Sequence, residues 1–145
     1  MLIIQGRVKN SSEQVSMERT QAQERLLKHV HSSPYRGMLQ KADIITKDVS
    51  PSCGDRVTFY LVVVKGRIEN IKFTCEGSIL GQATASILSE QALGKSFATI
   101  LSWTIGQVIA WIGIEVGPTR QRTVKFMLEV LQKGIISYDE SGKST

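Results

Sequence analysis

The chain has 145 residues, of which 41% are hydrophobic and 21% are charged, so it is long and apolar enough for one globular domain and is not a disordered chain. The formal net charge is +5, yet no run of basic residues stands out and aromatic residues make up only 6%. Because nucleic-acid binding commonly needs a basic stripe with stacking aromatics, we expect no nucleic-acid partner.

The chain carries no feature of a membrane or secreted protein. No stretch approaches the roughly twenty apolar residues of a membrane-spanning helix, and the apolar start is too short for the apolar region of a signal peptide. The two cysteines, Cys53 and Cys75, are fewer than a disulfide framework commonly uses. We therefore expect free thiols, no membrane association and a cytoplasmic location.

The N-terminal region is predicted to contain a tail and one helix. Residues 1–16 are polar from Gln5 on and are predicted to be a flexible tail. A helix is predicted from Met17 to Val30, on the basis of a modest apolar face. Ser32-Ser33-Pro34 ends this helix, because a proline and the residue before it leave the helical region.

Three strands are predicted next, over residues 44–49, 57–64 and 68–75. The middle strand is a continuous β-rich run, which is typical of a central strand. The two-residue turn Lys65-Gly66 joins it to the third strand as a hairpin. Alternation along the third strand places Ile71, Phe73 and Cys75 on one face, which favours a core position for Cys75.

The remainder of the chain shows helical periodicity. Helices are predicted from Ile79 to Gly94, over Ser96–Ile112, and after Pro118, which opens the last helix. Residues 137–145 are polar and are predicted to be a flexible C-terminal tail. The order of helix, antiparallel strands and further helices predicts an α+β fold, in which a three-stranded antiparallel sheet packs against helices.

The loop Ser50-Pro51-Ser52-Cys53-Gly54-Asp55 carries the clearest chemical pattern. Gly54 frees the backbone between Cys53 and Asp55, so that both side chains can point to one spot. A thiolate and a carboxylate form half of a zinc or iron site. The same residue types are also common in plain turns, so the loop alone leaves both interpretations open.

In its wider context this loop resembles the U-type scaffold family of iron–sulfur cluster assembly, which includes IscU, SufU and the N-terminal domain of NifU. That family carries Pro-x-Cys-Gly-Asp before a long strand, as Pro51–Asp55 does here, followed by a hairpin and a helix rich in small residues that matches the segment from Gly77. The resemblance covers about residues 17–136 and implies a scaffold domain with a SufE/NifU-like fold over that range.

The resemblance also implies a ligand set of three cysteines and an aspartate, which this chain has only in part. The first cysteine corresponds to Cys53 and the aspartate to Asp55, whereas the other two cysteine positions are Ser78 and Thr123. Neutral hydroxyls are poor ligands for iron or zinc compared with thiolates, and Ser78 is expected to cap its helix instead. Cys75 remains a further candidate metal ligand, which would need a bulge near the end of its strand.

By resemblance, such a protein binds iron and sulfur, or zinc, and accepts sulfur from a cysteine desulfurase. The expected cofactor is a 2Fe–2S cluster or zinc, or none, because two cysteine ligands are missing. The expected partners are a cysteine desulfurase and other iron–sulfur assembly proteins, and the sequence is compatible with a homo-oligomer. No Ser-His-Asp, phosphate-binding or paired-carboxylate motif is present, so we predict no enzymatic activity.

Two alternatives stay open at this point. One is a cluster-free binding module of the same fold, which docks on the assembly machinery and regulates it. The other is a zinc-bearing sulfurtransferase-like domain.

Overall fold

The computed structural model describes the backbone of residues 11–142 and the side chains of residues 20–142. In chain order the elements are α1 (Ser11–His31), β1 (Ile44–Val49), β2 (Arg56–Val64), β3 (Arg67–Glu76), α2 (Ile79–Ala92), α3 (Phe97–Leu101), α4 (Ile105–Ile112) and α5 (Pro118–Glu140). The architecture is α+β, which confirms the predicted fold class. None of the helices in this part of the chain is long and apolar enough to cross a bilayer.

The strands form an antiparallel sheet in the order β1-β2-β3, so β2 is central as predicted. The turn between β2 and β3 is Lys65-Gly66, with φ angles of 52° and 72°. Positive φ at both positions is the requirement of the tight hairpin turn whose twist matches that of the flanking strands. The hairpin is therefore set locally by the sequence at this turn.

One face of the sheet is buried against the helices. Strands β2 and β3 supply a fully buried apolar layer: Val57, Phe59, Leu61, Ile68, Ile71 and Phe73. Helix α2 lies across this layer and also contacts α1, α4 and α5. Most of α2 is buried, and its alanines and serines allow this close packing on several sides. The core thus fixes where α2 begins, close to the end of β3.

Helix α5 is fixed on β1 by a close approach. Gly134 leaves room for Thr46, because a Cβ at Gly134 would overlap the Thr46 side chain. The buried Thr46 hydroxyl donates a hydrogen bond to the Val130 carbonyl oxygen, at 2.8 Å. This contact ties the middle of α5 to the edge strand and thereby determines where the first turns of α5 lie.

The helix boundaries differ from the sequence expectations in three places. The predicted helix over Ser96–Ile112 is two helices, because Thr104 begins α4 with a capping box in which Thr104 and Gln107 each cap the other's backbone N–H. Helix α1 begins at Ser11 rather than Met17, and α5 continues to Glu140. The division into a domain over 17–136 and two flexible tails stays a prediction, and residues 1–10 lie outside the described part.

Candidate functional site

The loop between β1 and β2 is closed by its own hydrogen bonds. The Ser50 N–H donates to the Asp55 carbonyl oxygen and the Gly54 N–H donates to the Ser50 carbonyl oxygen, both at 2.8 Å. The Cys53 N–H donates to Ser50 Oγ at 3.2 Å. Gly54 has a φ of +73°, in the left-handed region that glycine adopts without strain. The loop therefore presents Cys53 at a defined position.

The Cys53 thiol is half-buried and surrounded by hydroxyl groups. A hydrogen bond with the Thr123 side chain, followed by those with Ser50 and Ser52, lowers the pKa of Cys53 below its ordinary value. Partial burial and the negative charge of Asp55 act in the opposite direction, but the net shift is downward. Because the thiolate is the nucleophilic form of cysteine, this environment favours a reactive thiol.

Asp55 is fully buried at the start of α2. Its Oδ1 accepts a hydrogen bond from the Ser78 backbone N–H at 2.7 Å, and its Oδ2 accepts one from the Ser78 hydroxyl at 3.3 Å. A carboxylate is favourable here, since the first N–H groups of a helix carry partial positive charge. Asp55, the residue directly before β2, is thus joined to the beginning of α2.

Two glycines make room for this carboxylate. Gly77 has a φ of +133°, and a Cβ there would overlap Asp55 Oδ1. A Cβ at Gly81 would lie 3.1 Å from the Asp55 carboxyl carbon. The sequence interpretation did not assign this role to either glycine. The available signal was a Gly-Ser pair directly before a predicted helix start.

Ser78 is the N-cap of α2, as predicted. Its hydroxyl oxygen accepts a hydrogen bond from the Gly81 N–H at 3.0 Å while its proton is directed to Asp55. Ser78 is therefore the middle of a short chain of hydrogen bonds that runs from Asp55 to the first turn of α2.

The structure brings four of the predicted site residues together where β2 begins and β3 ends. Thr123, on α5, acts on the Cys53 thiol, and Ser78, the N-cap of α2, is hydrogen-bonded to Asp55. Cys53 and Asp55 are close enough for the Asp55 charge to act on the thiol. The sequence predicted this convergence only by resemblance, since the four residues come from three separate segments.

Cys75 lies nearby in a different environment. It is paired with Val57 in the β2–β3 ladder and its side chain is buried in the core. Burial, and then the charge of Asp55, raises the pKa of Cys75 to about 12. The irregularity of the sheet falls between Val62 and Val63, not near the end of β3. Cys75 thus occupies the predicted core position, and the metal-ligand assignment of Cys53, Asp55 and Cys75 stays a prediction.

The residues of the site do not fit a resident metal held by this chain alone. Among the described residues, no three His, Cys, Asp or Glu side chains come together in a way that could hold a metal ion. The site offers one thiol, neutral hydroxyls, and one carboxylate that is fully buried. A structural zinc ion takes four ligands, and the irons of a cluster are held by thiolates.

A three-stranded sheet backed by helices, with a Cys-Gly-Asp loop facing a helix start, defines a U-type scaffold fold. The chain belongs to the NifU-like N terminal domain family, whose pattern it matches over residues 21–145. The resemblance found in the sequence is thereby confirmed.

Individual relatives agree with this family. The chain is 35% identical over 79 residues to the iron–sulfur cluster assembly scaffold protein IscU of Thermotoga maritima, across 54% of this chain and 56% of that protein. It therefore matches just over half the length of that relative. It is 23% identical over 127 residues to the zinc-dependent sulfurtransferase SufU of Bacillus subtilis, across 76% of this chain and 86% of that protein.

A solved structure gives the same result for the fold. The crystal structure of a protein from Fervidobacterium islandicum, proposed to be an iron–sulfur cluster assembly scaffold of the SUF system, superposes with a TM-score of 0.65 at 20% identity, covering 77% of this chain and 94% of that one. At this level of identity the likeness concerns the fold alone.

Proposed function

We propose that the chain functions in iron–sulfur cluster assembly, as a scaffold-like protein whose Cys53 accepts sulfur from a cysteine desulfurase. Membership of the NifU-like family supports a role in cluster assembly, and so do the relatives named as IscU and SufU. The observation that carries the proposal is the Cys53 thiol, which is partly exposed on a fixed loop and has a lowered pKa.

The sulfur-transfer step is a thiol–disulfide type of exchange. The Cys53 thiolate attacks the outer sulfur of a persulfide on the desulfurase, and a new S–S bond forms at Cys53. The S–S bond within the desulfurase persulfide breaks, and the desulfurase cysteine leaves as a thiolate. The persulfide proton stays with the transferred sulfur or passes to solvent. The exchange is balanced without any external oxidant.

The neighbouring residues position and activate the thiol for this step. Thr123, Ser50 and Ser52 stabilise the thiolate by hydrogen bonding. Each chain carries one sulfur on one side chain, so Cys53 is an acceptor rather than a catalyst. An iron–sulfur cluster on this chain would need further thiolate ligands, which a partner chain or a client protein would contribute.

The proposed cellular location rests on the two free cysteines. Cys53 and Cys75 are both free, which suits a reducing compartment, and we place the protein in the cytoplasm. The desulfurase and other assembly proteins are the proposed partners. The compatibility with a homo-oligomer stays a prediction.

Sulfur transfer can be measured by mass spectrometry of the intact chain. After incubation with a cysteine desulfurase and free cysteine, wild type should gain one sulfur atom, and a reductant should remove it. Cys53→Ser should gain none. Cys75→Ser is the matched control and should gain sulfur as wild type does. Sulfur found on Cys75, or transfer that persists in Cys53→Ser, would contradict the assignment.

A second candidate function is a cluster-free binding module that docks on the assembly machinery and regulates it. The hydroxyls of Ser78 and Thr123, at positions where the resemblance implies cysteines, favour this function. Binding to a desulfurase and the rate of that enzyme should then be the same with wild type and with Cys53→Ser. If Cys53→Ser no longer binds the desulfurase or no longer changes its rate, the sulfur-acceptor function is supported instead.

A further inference from the structure

The two ionisable side chains of the site each have a hydroxyl neighbour on a different helix. Asp55 accepts two hydrogen bonds from Ser78, which begins α2. The Thr123 side chain, near the start of α5, has the largest effect in lowering the pKa of Cys53, whose sulfur also lies 3.7 Å from Ser52 Oγ. The β1–β2 loop is therefore held at both of these side chains by contacts that involve no metal.

The Asp55 contact leaves little freedom for another ligand. The carboxyl group has no exposed surface and packs against Gly77 and Gly81. Each of its oxygens accepts one hydrogen bond, Oδ1 from the Ser78 N–H and Oδ2 from the Ser78 hydroxyl. A metal ion could therefore reach this carboxylate only if the packing of Gly77 and Gly81 against it opened, although the helix start already stabilises the carboxylate.

The Thr123 contact closes the other side of the loop. Thr123 is 6% exposed, so its hydroxyl lies in the packed interface of α5 rather than in solvent. No described buried side-chain nitrogen or oxygen lacks a hydrogen-bond partner, so the site does not contain an unsatisfied polar atom awaiting a ligand. The hydroxyls complete the polar contacts of the site.

We propose that Ser78 and Thr123 take the place of a metal ion in organising this site, so that Cys53 accepts sulfur without a bound metal. This inference rests on the proposed sulfur-acceptor function and adds that the acceptor is metal-independent. It distinguishes this chain from a relative that is named as zinc-dependent.

The first test compares chelated and zinc-supplemented protein. Purified chain is dialysed against a chelator, and sulfur transfer from a desulfurase or from inorganic polysulfide is measured with and without added zinc. We expect the same rate within about twofold and the same thermal midpoint. Transfer that needs zinc, or a midpoint that falls on chelation and returns with zinc, would overturn the inference. No sulfur on Cys53 in either state would instead refute the proposed function.

The second test asks whether the two hydroxyl positions decide metal dependence. The double variant Ser78→Cys/Thr123→Cys should gain zinc binding by competition with a chromogenic chelator, and zinc should raise its thermal midpoint by about 5 °C or more. Ser96→Cys places a cysteine at the N-cap of another helix and should gain neither property.

The remaining outcomes of the second test are also decisive. If the double variant folds without zinc and binds none, positions 78 and 123 are not where a metal was replaced, and the inference is wrong. If it does not fold without zinc but folds with it, the thiols have made the site metal-dependent, which supports the inference. If it folds under neither condition, the single variants Ser78→Cys and Thr123→Cys are assayed for zinc in the same way: zinc bound by either variant supports the inference, and zinc bound by neither overturns it.

Discussion

Cys53 and Cys75 lie at the same end of the sheet, and their surroundings move their pKa values in opposite directions. Cys53 is on a loop among hydroxyl groups, which lower its pKa, whereas burial in the core raises the pKa of Cys75 to about 12. The negative charge of Asp55 raises both pKa values, so Asp55 is not the cause of the difference. Hydrogen-bond donors beside one thiol and apolar packing around the other decide which cysteine can react.

Alkylation of the native protein is the strongest test of this comparison. Raising a thiol pKa from 9.0 to about 12 reduces its thiolate fraction about a thousandfold. We therefore expect iodoacetamide at pH 8 to label Cys53 at least about a thousand times faster than Cys75. Peptide mass spectrometry at timed intervals measures both rates.

In guanidinium chloride, where the chain is unfolded, the two cysteines should react at similar rates. This control shows that the native difference comes from the fold. Equal labelling in the native protein would mean that Cys75 is accessible and that the two environments are not distinct.

Gly77 lies between the strand that carries Cys75 and the helix cap at Ser78, and it packs against Asp55, whose charge acts on both cysteines. In Gly77→Ala the new Cβ would overlap the Asp55 carboxylate, at a φ that disfavours alanine. We expect a loss of about 3 kcal/mol in the free energy of unfolding, from overpacking and backbone strain together.

Gly94→Ala provides the matched control for Gly77→Ala. Gly94 also has a positive φ, of +81°, but a Cβ there would meet no atom within 4 Å. We expect it to lose only about 1 kcal/mol, which is the cost of the backbone conformation alone. Denaturant unfolding of both variants gives the difference. Equal losses would show that Asp55 does not pack against Gly77.

Asp55→Asn tests the comparison of the two cysteines further, because the charge of Asp55 raises the pKa of both thiols. The variant weakens the contact with α2, and we expect a loss of about 1–2 kcal/mol in stability. Removing the negative charge should also lower the pKa of both thiols, so Cys53 should alkylate faster at a fixed pH. Asp48→Asn, an exposed carboxylate on β1, should change neither property. Slower alkylation of Cys53 in Asp55→Asn would contradict this electrostatic account.

The sequence predicted the parts of the fold that local chemistry decides. The alternation along β3 placed Cys75 in the core, Lys65-Gly66 set the hairpin, and Ser78 was predicted as a helix cap. The break before α4 was missed, although Thr104 and Gln107 have the spacing of a capping box.

The contacts within the site were beyond sequence reasoning, for a physical reason. The effect of Thr123 on the Cys53 thiol depends on where α5 lies on the sheet, which the Thr46–Val130 contact helps to fix. The burial of Asp55 depends on two glycines more than twenty residues away along the chain. Such long-range placements leave no periodic pattern, so only the family resemblance could suggest them.

Thr123→Val is the smallest and most specific change, because it removes one hydroxyl beside Cys53 and keeps the volume. Loss of the hydrogen bond should raise the pKa of Cys53, so the pH midpoint of its alkylation should move upward. At pH values below that midpoint, a loss of about 1 kcal/mol of thiolate stabilisation corresponds to roughly fivefold slower labelling. Thr123→Ser retains the hydroxyl and should keep the wild-type midpoint. An unchanged midpoint in Thr123→Val would leave Ser50 and Ser52 as the residues that activate Cys53, since they are the other two hydroxyls that lower its pKa.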